Sequence, residues 1–265
     1  AMLAAPPMTS AYADELGIAR TAAEQAGRFA LAHFRTALTV EYKADRSPVT
    51  IADRGAEETL RAALGAAFPH DGILGEELGE THGSSGRRWI IDPIDGTQSF
   101  IHGVPLWGVL VALEDRGECV VGVVALPALG ETLWAARGGG AFVNGTPARV
   151  SPATTLADAT ILTSDASPRH FGDKHAGFQQ LLGCAGRHRG WGDCYGYALV
   201  ATGRAEVMLD PLMNPWDAAA VKPIIEEAGG TFCAWDGAPT IYGGSALAMP
   251  ATLRDPVLRA LCGTA

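Results

Sequence analysis

The stretch Trp89-Ile90-Ile91-Asp92-Pro93-Ile94-Asp95-Gly96-Thr97 constrains this chain more than any other. Its apolar start reads as a buried strand, and the strand is expected to end at Asp92, at a segment carrying two carboxylates three residues apart. Pro93 fixes the backbone between them. Such a pentapeptide is either a type I turn, in which Asp, Pro and Gly are all favoured, or a cation site. In the second reading Asp92 and Asp95 aim at one point, the Ile94 carbonyl supplies a third oxygen, and the Ile94 side chain anchors the segment in the core. Hard oxygen ligands without His or Cys suit Mg²⁺ or Mn²⁺ and disfavour Zn²⁺. If a helix starts at Gly96, Thr97 and Gln98, its free amides can seat a phosphate. The same donors serve a Thr cap.

Charge sharpens the question. The formal net charge is −9, which disfavours a nucleic-acid backbone or an anionic membrane surface as partner. A phosphorylated substrate would also be repelled unless cations intervene. Five scattered cysteines without a CxxC pair suggest reduced thiols in a cytoplasm rather than a disulfide framework or a zinc site. No apolar run reaches the ~20 residues of a membrane-spanning helix. The N-terminal Ala1 to Pro7 has neither a positive n-region nor an h-region, so it is not read as a signal peptide and is left out of the fold. No GxGxxG links a strand to a helix, so a dinucleotide site is not expected.

Periodicity outlines the rest. Ser10 is placed to cap a helix with Leu16, Ala19, Ala23, Ala26, Ala30 and Phe34 on one face. Leu38 to Lys43 alternates like a strand, and Ala52 to Ala67 reads as a second helix. Short strands follow at Ile73-Leu74 and Trp89 to Ile91. Leu106 to Leu113, Cys119 to Leu126, Glu131 to Ala136 and Ala141 to Val143 then read as an antiparallel meander. Beyond Thr160 strands and helices alternate, with helices expected near Ala176 to Leu182, Tyr195 to Thr202, Trp216 to Ala228 and Leu253 to Leu261. Strands are expected at Thr160 to Thr163, Ala205 to Leu209, Thr231 to Ala234 and Ala246 to Met249, and Ala166 to His175 as a polar surface loop. This divides the chain into an α+β half over residues 10–150 and an α/β half over 151–265, joined in one catalytic unit.

Asp53, Glu76, Asp92, Asp95 and Asp217 all sit where strands or helices begin or end. Singly, Asp53 can be a helix cap, Glu76 an acidic strand end, and Asp217 a carboxylate favouring a helix dipole. Together, Val49-Thr50-Ile51-Ala52-Asp53, Gly75-Glu76-Glu77, Trp89 to Thr97 and Trp216-Asp217-Ala218-Ala219, with Glu226, Ala228, Gly229 and Gly230, resemble the inositol monophosphatase-like family from about residue 14 to the C-terminus. The resemblance implies an α/β (α+β) fold, a layered αβαβα sandwich, assembled as a homodimer. It implies Mg²⁺, or Mn²⁺, at two to three ions per site. Glu76, Asp92 and the Ile94 carbonyl would hold the first ion, Asp92, Asp95 and Asp217 the second, and a weaker third would share Glu76. Thr97 and Asp53 would form a hydrogen-bonded pair positioning the attacking water, and Lys43 matches a basic residue near an active-site flap.

The ester is chosen by the second half of the chain. Trp191-Gly192-Asp193-Cys194-Tyr195-Gly196-Tyr197 and Asp210-Pro211-Leu212-Met213-Asn214-Pro215-Trp216-Asp217 look like the histidinol-phosphate phosphatases of this family. Asp193 and Asp210 would attract the amine and imidazole of such a substrate. Asn214 could read a nitrogen, and Arg187 could orient Asp193 or reach the phosphate. Two other readings stay open from the residues alone. Asp193 can be a helix N-cap, and Asp210 a strand-end turn residue. The expected function is metal-dependent hydrolysis of L-histidinol phosphate by water attack, in histidine biosynthesis. An inositol-1-phosphate or broad sugar-phosphate phosphatase and a non-catalytic metal-binding scaffold are the alternatives.

Overall fold

The computed structural model describes residues 10–37, 39–43 and 47–263. The N-terminal Ala1 to Pro7 and Leu38 lie outside that set. The strand Arg87–Asp95 runs inside an eight-stranded sheet. Across the sheet the order is Thr146–Pro147, Ala141–Val143, Glu131–Ala136, Glu118–Leu126, Gly108–Asp115, Arg87–Asp95, Gly72–Gly75 and Gly79–Thr81. Only the Gly72–Gly75 pairing with Arg87–Asp95 is parallel; the other neighbours are antiparallel, and the expected meander is formed. Both faces are covered, which is why the strand reads as a continuous apolar run.

On one face Trp89 and Ile91 pack with Leu16, Ala19, Ala23, Ala56, Leu60 and Leu64 of the helices Ala13–His33 and Ile51–Ala67. On the other, Ile90, Leu110 and Val124 meet the helices Asp193–Ala201, Pro215–Ala219 and Val221–Glu227. Those helices lie on a second sheet, ordered Arg187–Arg189, Thr160–Leu162, Val207–Asp210, Ala246–Pro250 and Gly230–Cys233. Its far face is closed by the helices His175–Cys184 and Arg254–Cys262. The result is the αβαβα sandwich.

Four local expectations change. Ser10 is not the cap: Tyr12 is, and the Ser10 hydroxyl accepts from the Tyr12 amide at 3.2 Å while donating to the Arg137 carbonyl at 2.9 Å. The strand expected over Leu38 to Lys43 is realised as Glu41–Tyr42. The segment Ala166 to His175 contains a helix, Pro168–Phe171, started by Pro168 in its first turn. Phe171 is buried and stacks on Phe178 at 4.1 Å. The single helix expected over Trp216 to Ala228 is two, broken at Ala220. Pro223 has no amide to offer the Ala219 carbonyl four residues back. The freed turn brings the Ala220 carbonyl onto Gly122 of the meander, where a Cβ would fall 2.1 Å from it.

Gly122→Ala therefore forces backbone apart, and we expect it to cost about 1–3 kcal/mol, seen as a lowered denaturation midpoint; an unchanged midpoint would show that this contact yields freely. A second expectation concerns Asp71, which accepts hydrogen bonds from Arg87 at 2.8 Å, Ser85 at 2.7 Å and Trp89 at 3.1 Å. Burial alone would raise its pKa, but Arg87 and then Ser85 outweigh burial and hold it below the ordinary value. A depressed carboxylate stabilises the fold above its unfolded pKa of about 3.9 and stops doing so as pH falls through the folded value. Asp71→Asn should be less stable than wild type at neutral pH, and the gap should close as pH falls through the depressed folded value. A gap independent of pH would exclude this ion pair as its source.

Candidate active site

The strand Arg87–Asp95 does not end at Asp92, and the segment is not a type I turn. It continues through a bulge: Asp92 pairs with Leu110 and Asp95 with Gly108, three residues against two. Pro93 supplies no ladder donor, which is where a strand tolerates an extra residue. In a regular strand residues three apart face opposite sides. The bulge cancels that alternation and turns both carboxylates to one side. The Ile94 amide donates to Asp92 Oδ1 at 3.0 Å, and the Cys194 amide, in the first turn of its helix, donates to Asp95 Oδ2. Asp217 arrives from the helix Pro215–Ala219, oriented by the Asn214 amide at 2.8 Å and side chain at 3.2 Å.

Oxygens of Asp92, Asp95 and Asp217 lie within 4.8 Å of one another. Burial above all, then the neighbouring carboxylates, pushes Asp92 and Asp95 well above the ordinary range. Asp217 is raised to about 6, chiefly by burial and against the hydrogen bonds of Asn214. Two like charges 4 Å apart repel by about 4 kcal/mol even at an effective dielectric constant of 20. Only protons or a cation can relieve such a group, and its donors are all oxygen. The residues fit a hard divalent cation.

Glu76 lies beside this trio. Burial raises its pKa to about 7 against the pull of Lys43, whose Nζ reaches Glu76 at 2.7 Å and Glu77 at 2.6 Å. The turn behind Glu76 is pinned by Glu57, a fully buried residue that the sequence reading passed over. Glu57 accepts from the amides of Glu77 (2.7 Å) and Leu78 (3.1 Å) and from Arg61 (2.8 Å). The expected Thr97–Asp53 hydrogen bond is not formed. Asp53 Oδ2 is taken by the amide and hydroxyl of Thr50, both at 2.7 Å, in a capping box. The Thr97 hydroxyl turns back to the Ile94 carbonyl at 3.0 Å. Asp53 Oδ1 is left buried with no partner.

A cavity of about 210 Å³ opens from Asp95 and Asp217. Asp165, His170, Asp193, Tyr197, Asp210 and Leu212 form much of its wall, and none of the described residues lining it is Lys or Arg. Asp210 is held at both oxygens, by the Ser164 amide and the Tyr197 hydroxyl, each at 3.0 Å. Asp193 is not the N-cap of its helix: Gly192 is, without a side-chain cap bond. Asp193 has φ +52°, a left-handed conformation that costs an L-residue roughly 1–2 kcal/mol. Gly96 has φ +83°, and a Cβ on it would meet Asp193 Oδ2 at 3.0 Å. The two segments can approach only because Gly96 has no side chain.

Two candidates stand elsewhere. Arg187 begins the exposed edge strand Arg187–Arg189, paired parallel to Thr160. The cavity lies past the other ends of these strands, beyond Leu162 and at Asp210, so Arg187 does not line it. Asn214 is exposed and binds Asp217 rather than the cavity. Conversely, His170 Nδ1 lies 2.8 Å from Asp165 Oδ2 and both line the cavity, although His170 falls in the segment read as surface loop and Asp165 just before it. The one signal was Ser167-Pro168, a helix start.

The sequence model of the inositol monophosphatase family matches residues 13–262. Histidinol-phosphatase of Chlorobaculum parvum is 50% identical over 88% of this chain and 90% of its own. Histidinol-phosphatase of Mycobacterium tuberculosis is 40% identical over 94% and 98%. The crystal structure of extragenic suppressor protein suhB from Bartonella henselae superposes with a TM-score of 0.89 at 32% identity, covering 94% of this chain and 98% of that one.

Raised carboxylates favour the fold while protonated and cease to do so as pH rises through their folded pKa values. Protein freed of divalent cations should therefore lose thermal stability between about pH 5 and 8, the range set by Asp217 at about 6 and Glu76 at about 7. Saturating Mg²⁺ should raise Tm more at pH 8 than at pH 5. A Tm increment independent of pH would mean that cations and protons do not compete for this cluster.

Proposed function

We propose a function from one premise: the chain belongs to the inositol monophosphatase family. It is a metal-dependent phosphatase acting on a small-molecule phosphate monoester. Our reading is that the metal is Mg²⁺, with Mn²⁺ able to replace it, and that the ester is L-histidinol phosphate. The observation that carries it is the cavity wall, in which Asp165, Asp193 and Asp210, and no described Lys or Arg, surround the space beyond Asp95 and Asp217 of the cluster. A phosphate can enter such a space only with cations, and the remainder of the ester is best matched if it is itself cationic. Both histidinol-phosphatase relatives support this choice.

In this reading Glu76, Asp92 and the Ile94 carbonyl would hold one ion and Asp92, Asp95 and Asp217 a second, and Glu76 would be available to the first once free of Lys43. When bound, the cation would neutralise phosphoryl oxygens and favour deprotonation of the attacking water. The backbone at Gly96 and Thr97 faces the phosphate at the start of the helix Thr97–Ile101. Asp53 Oδ1, buried and without a partner, is the acceptor that orients the water, and the Thr97 hydroxyl would have to leave the Ile94 carbonyl to share in this. Asp193 and Asp210 face the amine and imidazole. Asn214 keeps Asp217 aimed. The reading also places the enzyme in histidine biosynthesis in the cytoplasm, as a homodimer. No helix among the described residues is long and apolar enough to cross a membrane.

Phosphate release from L-histidinol phosphate, inositol 1-phosphate and fructose 1,6-bisphosphate, with Mg²⁺ and with chelator, tests this. A charge-assisted hydrogen bond contributes about 1.5–3 kcal/mol, so kcat/KM for histidinol phosphate should exceed that for inositol 1-phosphate by about 10- to 150-fold. Chelator should abolish turnover. The substrate assignment fails if the inositol ester is preferred, and the metal assignment fails if turnover survives chelation.

A further inference from the structure

Asp193 adopts its left-handed backbone without serving its own helix: Gly192 is the cap, and the Cys194 amide is committed to Asp95. What holds it is Ser164, just past the strand Thr160–Leu162. The Ser164 hydroxyl accepts from the Asp193 amide at 2.7 Å, and the Ser164 amide donates to Asp210 at 3.0 Å. The two segments are pressed together, because a Cβ on Gly192 would fall 2.2 Å from Ser164 Cα. Ser164 thus ties together the two carboxylates that face the non-phosphate end of the cavity.

We propose that Ser164 is a positioning residue for substrate choice: by holding Asp193 in its left-handed conformation, it keeps that carboxylate beside Gly96 and facing a cationic alcohol. This rests on the reading of the substrate above. Without the hydroxyl, the Asp193 amide loses its acceptor and the backbone can relax toward right-handed helix. The carboxylate then leaves the cavity wall, while the cation cluster, reached through Asp92, Asp95 and Asp217, stays in place.

The test reads the two ends of the site separately, using L-histidinol and inorganic phosphate as inhibitors. In Ser164→Ala, KM for L-histidinol phosphate and Ki for L-histidinol should both rise by about tenfold, as expected for one lost hydrogen bond. The Ki for inorganic phosphate and the Mg²⁺ activation curve should stay within about twofold. Asp193→Gly removes the backbone strain and the carboxylate together. Its Tm should hold or rise, while L-histidinol binding weakens at least as much as in Ser164→Ala. A Ser164→Ala enzyme with unchanged L-histidinol affinity overturns the proposal, as does one in which both inhibitors weaken equally. An Asp193→Gly enzyme with lowered Tm also overturns it, since the left-handed residue would then serve the fold. The substrate reading fails separately, and the role of Ser164 with it, if the wild-type enzyme does not hydrolyse L-histidinol phosphate.

Discussion

Repulsion among carboxylates held together out of water is the constraint around which this chain is arranged. Asp92, Asp95 and Asp217 come from a bulged strand and a short helix. Each is held by amides that would otherwise lack partners: Ile94 for Asp92, Cys194 for Asp95, Asn214 for Asp217. These donors temper the repulsion without removing it, and the residual charge becomes affinity for a cation. The sandwich supplies the force that keeps the group closed. Trp89, Ile91 and Ile94 are buried beside the carboxylates, so separating them would require opening the packing between sheet and helices.

The site divides into two ends with different physics. At the phosphate end, recognition runs through cations, so an acidic protein can hold an anion. At the other end Asp193 and Asp210 line the cavity, and their environments differ. Asp210 is locked at both oxygens by Ser164 and Tyr197. Asp193 keeps its orientation through backbone conformation instead. The two ends meet at one junction, where the Cys194 amide holds Asp95 and Asp193 lies against Gly96.

Much of this was legible in the residues. The meander and the Asp92/Asp95 pair follow from apolar periodicity and from acids at a strand end, whereas the sandwich and the part of Asp217 in the cluster came only with the resemblance of the motifs taken together. Residues in contact through sequence-distant pairings were not. Glu57 looked like one polar position on a helix, and only the fold shows it buried behind the Glu76 turn. His170 was lost because a four-residue helix gives too little periodicity to detect. Arg187 was misjudged because strand polarity, not distance along the chain, decides which end of a sheet faces the cavity. The bulge itself was hidden because Asp-Pro-x-Asp-Gly is equally good turn chemistry. Its paired strand, Gly108–Asp115, decides the matter.

The meeting of Gly122 with the Ala220 carbonyl has a reach beyond packing. The break at Ala220 sets the direction of the short helix that delivers Asp217, and Gly122 sits on a strand that contributes no ligand. The position of Asp217 thereby depends on a residue outside the cluster. A methyl group in the meander would tilt one carboxylate relative to the other two and shift the grip on the metal, leaving every acidic residue in the sequence unaltered.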